Sequence, residues 1–150
     1  MPNMHPLLTH FPIVLLTASF VFDAMSVLWR RVEYERLGAW AQLIGTASLA
    51  ATIASGLAAK GALRISEGAM DTIHIHEQIA FLAAVLTSGL LLWRIAARLS
   101  LPARHRNVYL ALSFATMVLV WGGAWYGGEL VYRFGVGVRE IGGVQVLVLP

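Results

Sequence analysis

Two histidines, His10 and His76, stand near one end of two long apolar stretches. Pro6 favours the first position of a helix and Asp71 favours an N-cap, so each histidine would be the fifth residue of its helix. Ionisable side chains are costly inside a bilayer and are usually functional there. Because imidazole is a common metal ligand, the matched depth of the two rings predicts a shared ligand site.

The two histidine-bearing stretches are the first and third of four, so they run in the same direction and lie on a diagonal of an up-down bundle. With neighbouring helices roughly 8–10 Å apart, the diagonal is roughly 11–14 Å. Two imidazoles need about that space to hold the metal of a planar macrocycle. We therefore expect haem b between His10 and His76, with room left by small side chains: Thr17, Ala80 and Ala83.

His74 and His76 cannot serve one site equally, because two residues on a helix are about 200° apart. The face of His76 continues through small residues, whereas the face of His74 carries bulky ones such as Phe81. The sequence therefore favours His76. His5 and His74 are less favoured ligands, since polar side-chain tips are tolerated at the headgroup boundary.

Three further charged residues belong to the candidate site. Asp23 lies deep in the first stretch, where a lone carboxylate must pair or become protonated, and Arg94 is its natural partner. The pair predicts an ion bridge between two helices, with a proton path or quinone site as the alternative. Glu129 could accept a hydrogen bond from a ligand histidine, or it could pair with Arg64 or Arg133.

Copper is an alternative to haem, because thioether and imidazole groups suit this metal. Methionines join His5 on the same predicted side at Met1, Met4 and Met70. The segment His76-Glu77 begins like a zinc-protease helix, but Ala80 stands where that motif needs a second histidine. No complete catalytic set can be assembled, so an electron-transfer or accessory subunit is favoured over a self-contained enzyme, and the enzyme question stays open.

The elements that position these residues are predicted by composition and length. Of 150 residues, 58% are hydrophobic and 13% charged, whereas about a quarter of a soluble domain is charged. About 20 apolar residues cross a bilayer, and four stretches qualify: 7–29, 37–59, 72–93 and 108–132. We expect one all-α domain, an integral membrane up-down four-helix bundle, with a Gly- and Val-rich tail, 135–150, that could form an extended strand or hairpin.

The absence of cysteine excludes disulfides, thiolate zinc sites and covalent c-type haem attachment within this chain. Its basic residues do not form the aromatic-interleaved runs of a nucleic-acid surface. They are instead divided seven against four between the two sets of loops: Arg30, Arg31, Arg36, Arg94, Arg98, Arg104 and Arg106 against Lys60, Arg64, Arg133 and Arg139. The bias predicts a multi-pass protein of the bacterial inner membrane with both termini periplasmic.

The second stretch has small residues every four positions, at Ala47, Ala51, Ser55 and Ala59, and at Ala50, Ala54 and Ala58 beside them. Gly123 and Gly127 have the same spacing in the fourth stretch. Small residues at this spacing allow close helix packing in lipid. They predict tight packing within the bundle or, as an alternative function, a cofactor-free scaffold that packs against larger membrane subunits.

Two segments resemble a bacterial family of small predicted four-span membrane proteins, catalogued as a domain of unknown function. One is His5-Pro6-Leu7-Leu8-Thr9-His10-Phe11-Pro12, followed by an apolar run ending in Phe22-Asp23, and the other is 127–138, GGELVYRFGVGV. The resemblance implies the four-span fold and outward-facing termini. Members occur beside or fused to periplasmic c-type cytochrome domains, which implies a place in redox chemistry. Many relatives have histidine where this chain has Phe134, so a ligand at that position is absent here.

The resulting expectation is a b-type haem-binding membrane subunit that relays electrons between a periplasmic redox partner, such as a c-type cytochrome, and quinone or a larger complex. Membrane lipid and other membrane subunits are its expected surroundings. The scaffold and the copper-binding protein stay open as alternatives, as do the number of haems and the direction of electron flow.

Overall fold

Four long helices make up most of the computed structural model, which describes residues 4–62, 67–141 and 144–147. They are α1 (His5–Trp29), α2 (Val32–Ala62), α3 (Met70–Ala96) and α4 (Arg106–Tyr132), and short 3-10 turns at Glu67–Ala69 and Ala103–His105 precede α3 and α4. All four helices are long and apolar enough to cross a membrane. The predicted spans are confirmed, and each helix extends beyond its predicted bounds at one or both ends.

The helices form an up-down bundle in which α1 and α3 lie on a diagonal. Each of these two helices packs against both α2 and α4, as predicted. The α1–α2 contact is the most extensive and the α2–α3 contact, here called the seam, is the least extensive of the four. We call the end with the α1–α2 and α3–α4 connections the arginine end, and the opposite end, where α1 begins, the histidine end.

The interior is built of layers to which each helix contributes one residue. Nearest the arginine end is a polar layer of Asp23, Gln42, Arg94 and Tyr109. The next layer contains hydroxyl side chains, Ser19, Thr46, Thr87 and Thr116. The third is an apolar cluster of Leu16, Leu49, Ala83 and Val120. This apolar layer separates the polar layers from the histidine end of the bundle.

The polar layer is organised around an ion pair between α1 and α3. Arg94 Nη1 and Nη2 donate to the two carboxylate oxygens of Asp23 at 2.6 and 2.8 Å, and both side chains are fully buried. Arg94 also donates to the Glu35 carbonyl at 2.7 Å, and Tyr109 donates to the Gln42 amide oxygen, which Arg94 approaches as well. The predicted Asp23–Arg94 pair is therefore present, within a network that joins all four helices.

Close packing of α1 on α2 depends on glycines rather than on the predicted alanine stripe. A Cβ atom on Gly38 would lie 2.1 Å from Asp23 Oδ1, and Ser19 Oγ donates to the Gly38 carbonyl at 3.0 Å. Ala47 and Ala51, in contrast, are exposed. The expectation that these alanines pack inside the bundle is wrong, because Ala47 is two residues, about 200°, from the buried Gly45.

Pro12 lies inside α1. It has no N–H to donate to the Leu8 carbonyl, which an ordinary residue at this position would do. The Thr52 hydroxyl of α2 lies 3.1 Å from that carbonyl oxygen and 2.8 Å from the Ser48 carbonyl oxygen of its own helix. Its one hydrogen is therefore shared between the two acceptors, and the neighbouring helix offers the Leu8 carbonyl a donor where the lipid has none.

The chain after α4 turns over the histidine end. The Gly135 and Val136 amides donate to the carbonyls of Val131 and Leu130, and Gly135 has a φ of 65°, the left-handed conformation of a helix C-terminal cap. The predicted extended tail is an antiparallel hairpin of β1 (Val138–Ile141) and β2 (Val144–Leu147), with Val138 opposite Leu147.

Replacing Asp23 by Asn should destabilise the protein by about 3–5 kcal/mol, because it leaves the buried Arg94 guanidinium without its counter-ion. Thermal unfolding in detergent measures the effect. The variant Glu129→Gln is the control, since the Glu129–Arg133 pair has a 70% exposed arginine and should contribute at most about 1 kcal/mol. The double variant Asp23→Asn, Arg94→Gln should lose less stability than the two single variants lose together. If the losses of unfolding free energy were additive, direct pairing would be contradicted.

Candidate functional site

A cavity of about 190 Å³ lies at the histidine end of the bundle, beyond the apolar layer. Its lining comes from all four helices and from Val136, and most of it is apolar. Six side chains bring polar groups to it: His5, Thr9, Thr52, Lys60, His76 and Glu77. Ala80 and Ala83, predicted to leave room beside His76, also line the cavity.

His5 is the first residue of α1, and its side chain packs against α2. Its Nδ1 atom is 2.9 Å from the Thr52 carbonyl oxygen and 3.1 Å from Ser55 Oγ. A carbonyl can only accept, so Nδ1 carries the hydrogen and the lone pair of a neutral ring lies on Nε2. Gly56 provides the space, because a Cβ atom there would be 2.8 Å from His5 Cε1.

His76 has the same arrangement on the opposite side of the bundle, where it leans on α4. Its Nδ1 atom donates to the Gly123 carbonyl at 2.9 Å, which again leaves the lone pair on Nε2. A Cβ atom on Gly127 would be 3.3 Å from His76 Cε1. Metal-binding histidines commonly have their second nitrogen fixed by a carbonyl in this way.

The rings of His5 and His76 are neighbours, with centroids 6.3 Å apart and planes at 89°. When two imidazole nitrogens bind one ion from opposite sides at about 2.0–2.1 Å each, the ring centroids lie about 6.4 Å apart. The centroid separation of His5 and His76 is close to that value. Within the described residues, no group of three His, Asp or Glu side chains could hold a metal by itself.

The structure brings His5, not His10, to His76. His10 is exposed on the outer face of α1, and its Nδ1 atom is 3.0 Å from the Pro6 carbonyl oxygen. Five residues correspond to about 140° around a helix, so His5 and His10 cannot share a face. The start of α3 also differs from expectation, because its N-cap is Ala69 and Asp71 lies inside the helix.

The remaining predicted site residues lie away from the two rings. Thr17 accepts a hydrogen bond from Trp121 Nε1 at 3.0 Å and does not line the cavity. His74 is 57% exposed, which agrees with the preference for His76. Glu129 pairs with Arg133 at 2.6 Å rather than with a histidine.

Of the residues in the copper hypothesis, Met4 and Met70 are exposed. Met1 lies outside the described residues, and so does Arg64, the other partner considered for Glu129.

An ion pair that sequence reasoning missed crosses the seam at the rim of the cavity. Lys60 Nζ on α2 lies 2.8 and 2.9 Å from the two carboxylate oxygens of Glu77 on α3. Both side chains are partly exposed, at 33% and 24%. Each stands near the same end of adjacent antiparallel spans, so a comparison of depth along α2 and α3 could have found the pair.

The comparison with protein families identifies a related family. A family model described as "Predicted membrane protein (DUF2231)" matches residues 1–140. The match includes all four helices and both segments on which the sequence resemblance rests. Neither the curated proteins nor the solved structures contain a match.

Replacing Gly56 by Ala should displace the His5 ring and break its hydrogen bond to Thr52, since the new Cβ atom cannot lie 2.8 Å from Cε1. The histidine ¹⁵N NMR resonances of labelled protein measure this, and overpacking should cost about 1–3 kcal/mol of stability. Gly61→Ala on the same helix is the control, because nothing lies within 4 Å of its Cβ position. Unchanged His5 resonances in Gly56→Ala would refute the packing described.

Proposed function

We propose that this chain, which belongs to the DUF2231 family of predicted membrane proteins, is a haem b-binding membrane subunit that relays electrons. The observation that carries the proposal is the pair His5 and His76, with ring centroids 6.3 Å apart beside an apolar cavity. The pair replaces His10 and His76 as the expected axial ligands.

The number of ligands favours haem over a bare metal ion. Protein sites for zinc use three or four protein ligands, and the described residues hold no cluster of three His, Asp or Glu. Haem iron already has four ring nitrogens and needs only axial ligands. The copper alternative places methionine thioethers beside the histidines, and of its methionines Met4 and Met70 are exposed side chains.

The centroid separation of the two rings supports a haem between them, whereas the cavity would have to widen to hold it. The cavity of about 190 Å³ is smaller than the roughly 300 Å³ at which ligand pockets begin, so the surrounding helices must separate to admit a macrocycle. Small residues in the cavity lining leave few side-chain atoms where a macrocycle would lie: Gly56, Ala80, Ala83, Gly123 and Gly127. Bound haem would supply one-electron transfer, while the chain fixes the two Nε2 lone pairs and the apolar layer excludes water.

We further propose that the histidine end faces the periplasm of a bacterial inner membrane. Arg94 is buried in its ion pair, so six of the seven basic residues at the arginine end remain to set orientation, against four at the other end. Of those four, Lys60 and Arg133 pair with Glu77 and Glu129. This orientation presents the site to a periplasmic donor such as a c-type cytochrome, with membrane quinone or a larger complex as the second partner.

Absorption spectroscopy tests the proposal. Detergent-solubilised protein, expressed with haem available, should show a Soret band and a reduced α-band. His5→Ala and His76→Ala should each abolish the bis-histidine spectrum, because each removes an axial nitrogen. His10→Ala should leave it unchanged, since that ring is on the outer face.

A stable, colourless protein that copurifies with larger membrane subunits would overturn the haem proposal. That result would support the scaffold alternative, for which the outward-facing side of α2 offers small residues: Ala47, Ala50, Ala51, Ala54 and Ala58.

Reporter fusions test the orientation. Alkaline phosphatase, which is active only in the periplasm, should be active when fused after residue 150 and inactive when fused after residue 100, in the α3–α4 connection. The physical reason is the retention of the arginine-rich connections on the cytoplasmic side. The reversed pattern of activity would contradict the proposed topology.

A further inference from the structure

Part of the seam between α2 and α3 belongs both to the cavity lining and to the outer surface. Leu57 of α2 and Phe81 of α3 line the cavity, and both are 49% exposed. The contact between these two helices is the least extensive between neighbouring helices. We call the stretch of the seam between Leu57 and Phe81 the apolar passage, because a ligand that enters here from the lipid phase would meet apolar side chains.

Polar links across the seam occur at three levels in the described part of the chain. Near the arginine end, Arg94 binds the Glu35 carbonyl and approaches Gln42, and in the middle Thr46 and Thr87 are 3.1 Å apart. The third level is the Lys60–Glu77 pair. Fourteen residues of α2, about 21 Å, separate Thr46 from Lys60, and the apolar passage lies within that interval.

Among the described residues that line the cavity, Lys60 is the one lysine or arginine. Its ammonium group binds both oxygens of the Glu77 carboxylate, one helical turn beyond Leu57. His74 Nδ1 lies 3.9 Å from Glu77 Oε2, beyond hydrogen-bond distance. Because the Glu77 side chain is 24% exposed, water can solvate its carboxylate when Lys60 binds another carboxylate.

We propose that Lys60 anchors a carboxylate of the bound ligand and that the seam is the route by which the ligand enters. This inference rests on the proposed function, since haem b is a planar, largely apolar ligand with two carboxylate groups. The ligand carboxylate replaces Glu77 on Lys60, which places the charged edge of the ligand at the rim and its apolar body in the cavity. Releasing the pair also removes the polar link that closes the seam beside the passage.

The test compares hemin with hemin dimethyl ester, whose carboxylates are neutralised, in Soret titrations of the purified, full-length protein. The wild-type protein should bind hemin more tightly than the ester, but by less than the roughly tenfold that one charge-assisted hydrogen bond contributes, because Lys60 exchanges Glu77 for the ligand carboxylate. In Lys60→Gln this preference should vanish. In Arg133→Gln, which removes an exposed cation at the same end, it should persist.

The variant Glu77→Gln should change the preference for hemin in the direction opposite to Lys60→Gln. It therefore distinguishes the proposed anchor from a purely structural role of the ion pair. Without the competing carboxylate, Lys60 should bind hemin more tightly than in the wild-type protein, and the preference over the ester should increase. A structural role for the pair would instead weaken binding in both Lys60→Gln and Glu77→Gln, and that result would overturn the inference.

The experiment distinguishes failure of the Lys60 anchor from failure of the proposed function. If hemin and its ester bind equally in a manner that requires His5 and His76, the anchor is refuted and the haem site stands. If neither compound gives a histidine-dependent spectrum, the proposed function and the anchor are refuted together.

Discussion

The buried pair of Asp23 and Arg94 is the constraint on which the bundle depends. Lipid offers no hydrophobic force to hold helices together, so polar links and close packing must do so. Arg94 joins α1 and α3 through Asp23 and reaches α2 through the Glu35 carbonyl, while Tyr109 connects α4 through Gln42. The arginine end is thus tied across all four helices, whereas the histidine end, where the cavity lies, is joined by fewer and more exposed groups. Separation of the helices, which the proposed ligand requires, would therefore cost least at the histidine end.

The helices and this ion pair could be predicted because each is determined by one large free-energy requirement. Apolar length determines the spans, and the cost of an isolated buried charge determines that Asp23 needs a cation at the same depth. His76 could be predicted for a third reason, since its face continues through Ala80 and Ala83 toward Arg94, the residue already assigned to the interior. On α3, one buried charge thus identified the inward face of the whole helix.

The same reasoning on α1 would have identified His5. Its interior stripe runs from Asp23 back through Ser19, Leu16 and Pro12, and one further heptad step leads to His5. Depth alone selected His10, which follows an outward face with exposed valines at 14 and 21. The small-residue stripe of α2 misled for a related reason, because spacing reveals that two helices can approach but not which face meets the neighbour. Depth along α2 and α3 makes Lys60 and Glu77 candidate partners, but whether their side chains face each other depends on helix rotation, which apolar periodicity specifies weakly in a bundle surrounded by lipid.

The hydrogen bonds of the two histidines connect helix packing to ligand chemistry. Each ring donates Nδ1–H to a backbone carbonyl of an adjacent helix, at Thr52 for His5 and at Gly123 for His76. These carbonyls lie within helices, and a carbonyl oxygen has a second lone pair that can accept a side-chain donor. The absence of a side chain at Gly56 and Gly127 leaves room for the rings, since a Cβ atom would lie 2.8 Å from His5 Cε1 and 3.3 Å from His76 Cε1. The spacing of α1 on α2 and of α3 on α4 therefore favours the tautomer with hydrogen on Nδ1, so in the proposed haem site the close-packed glycines would help to orient both rings although they contribute no ligand atom.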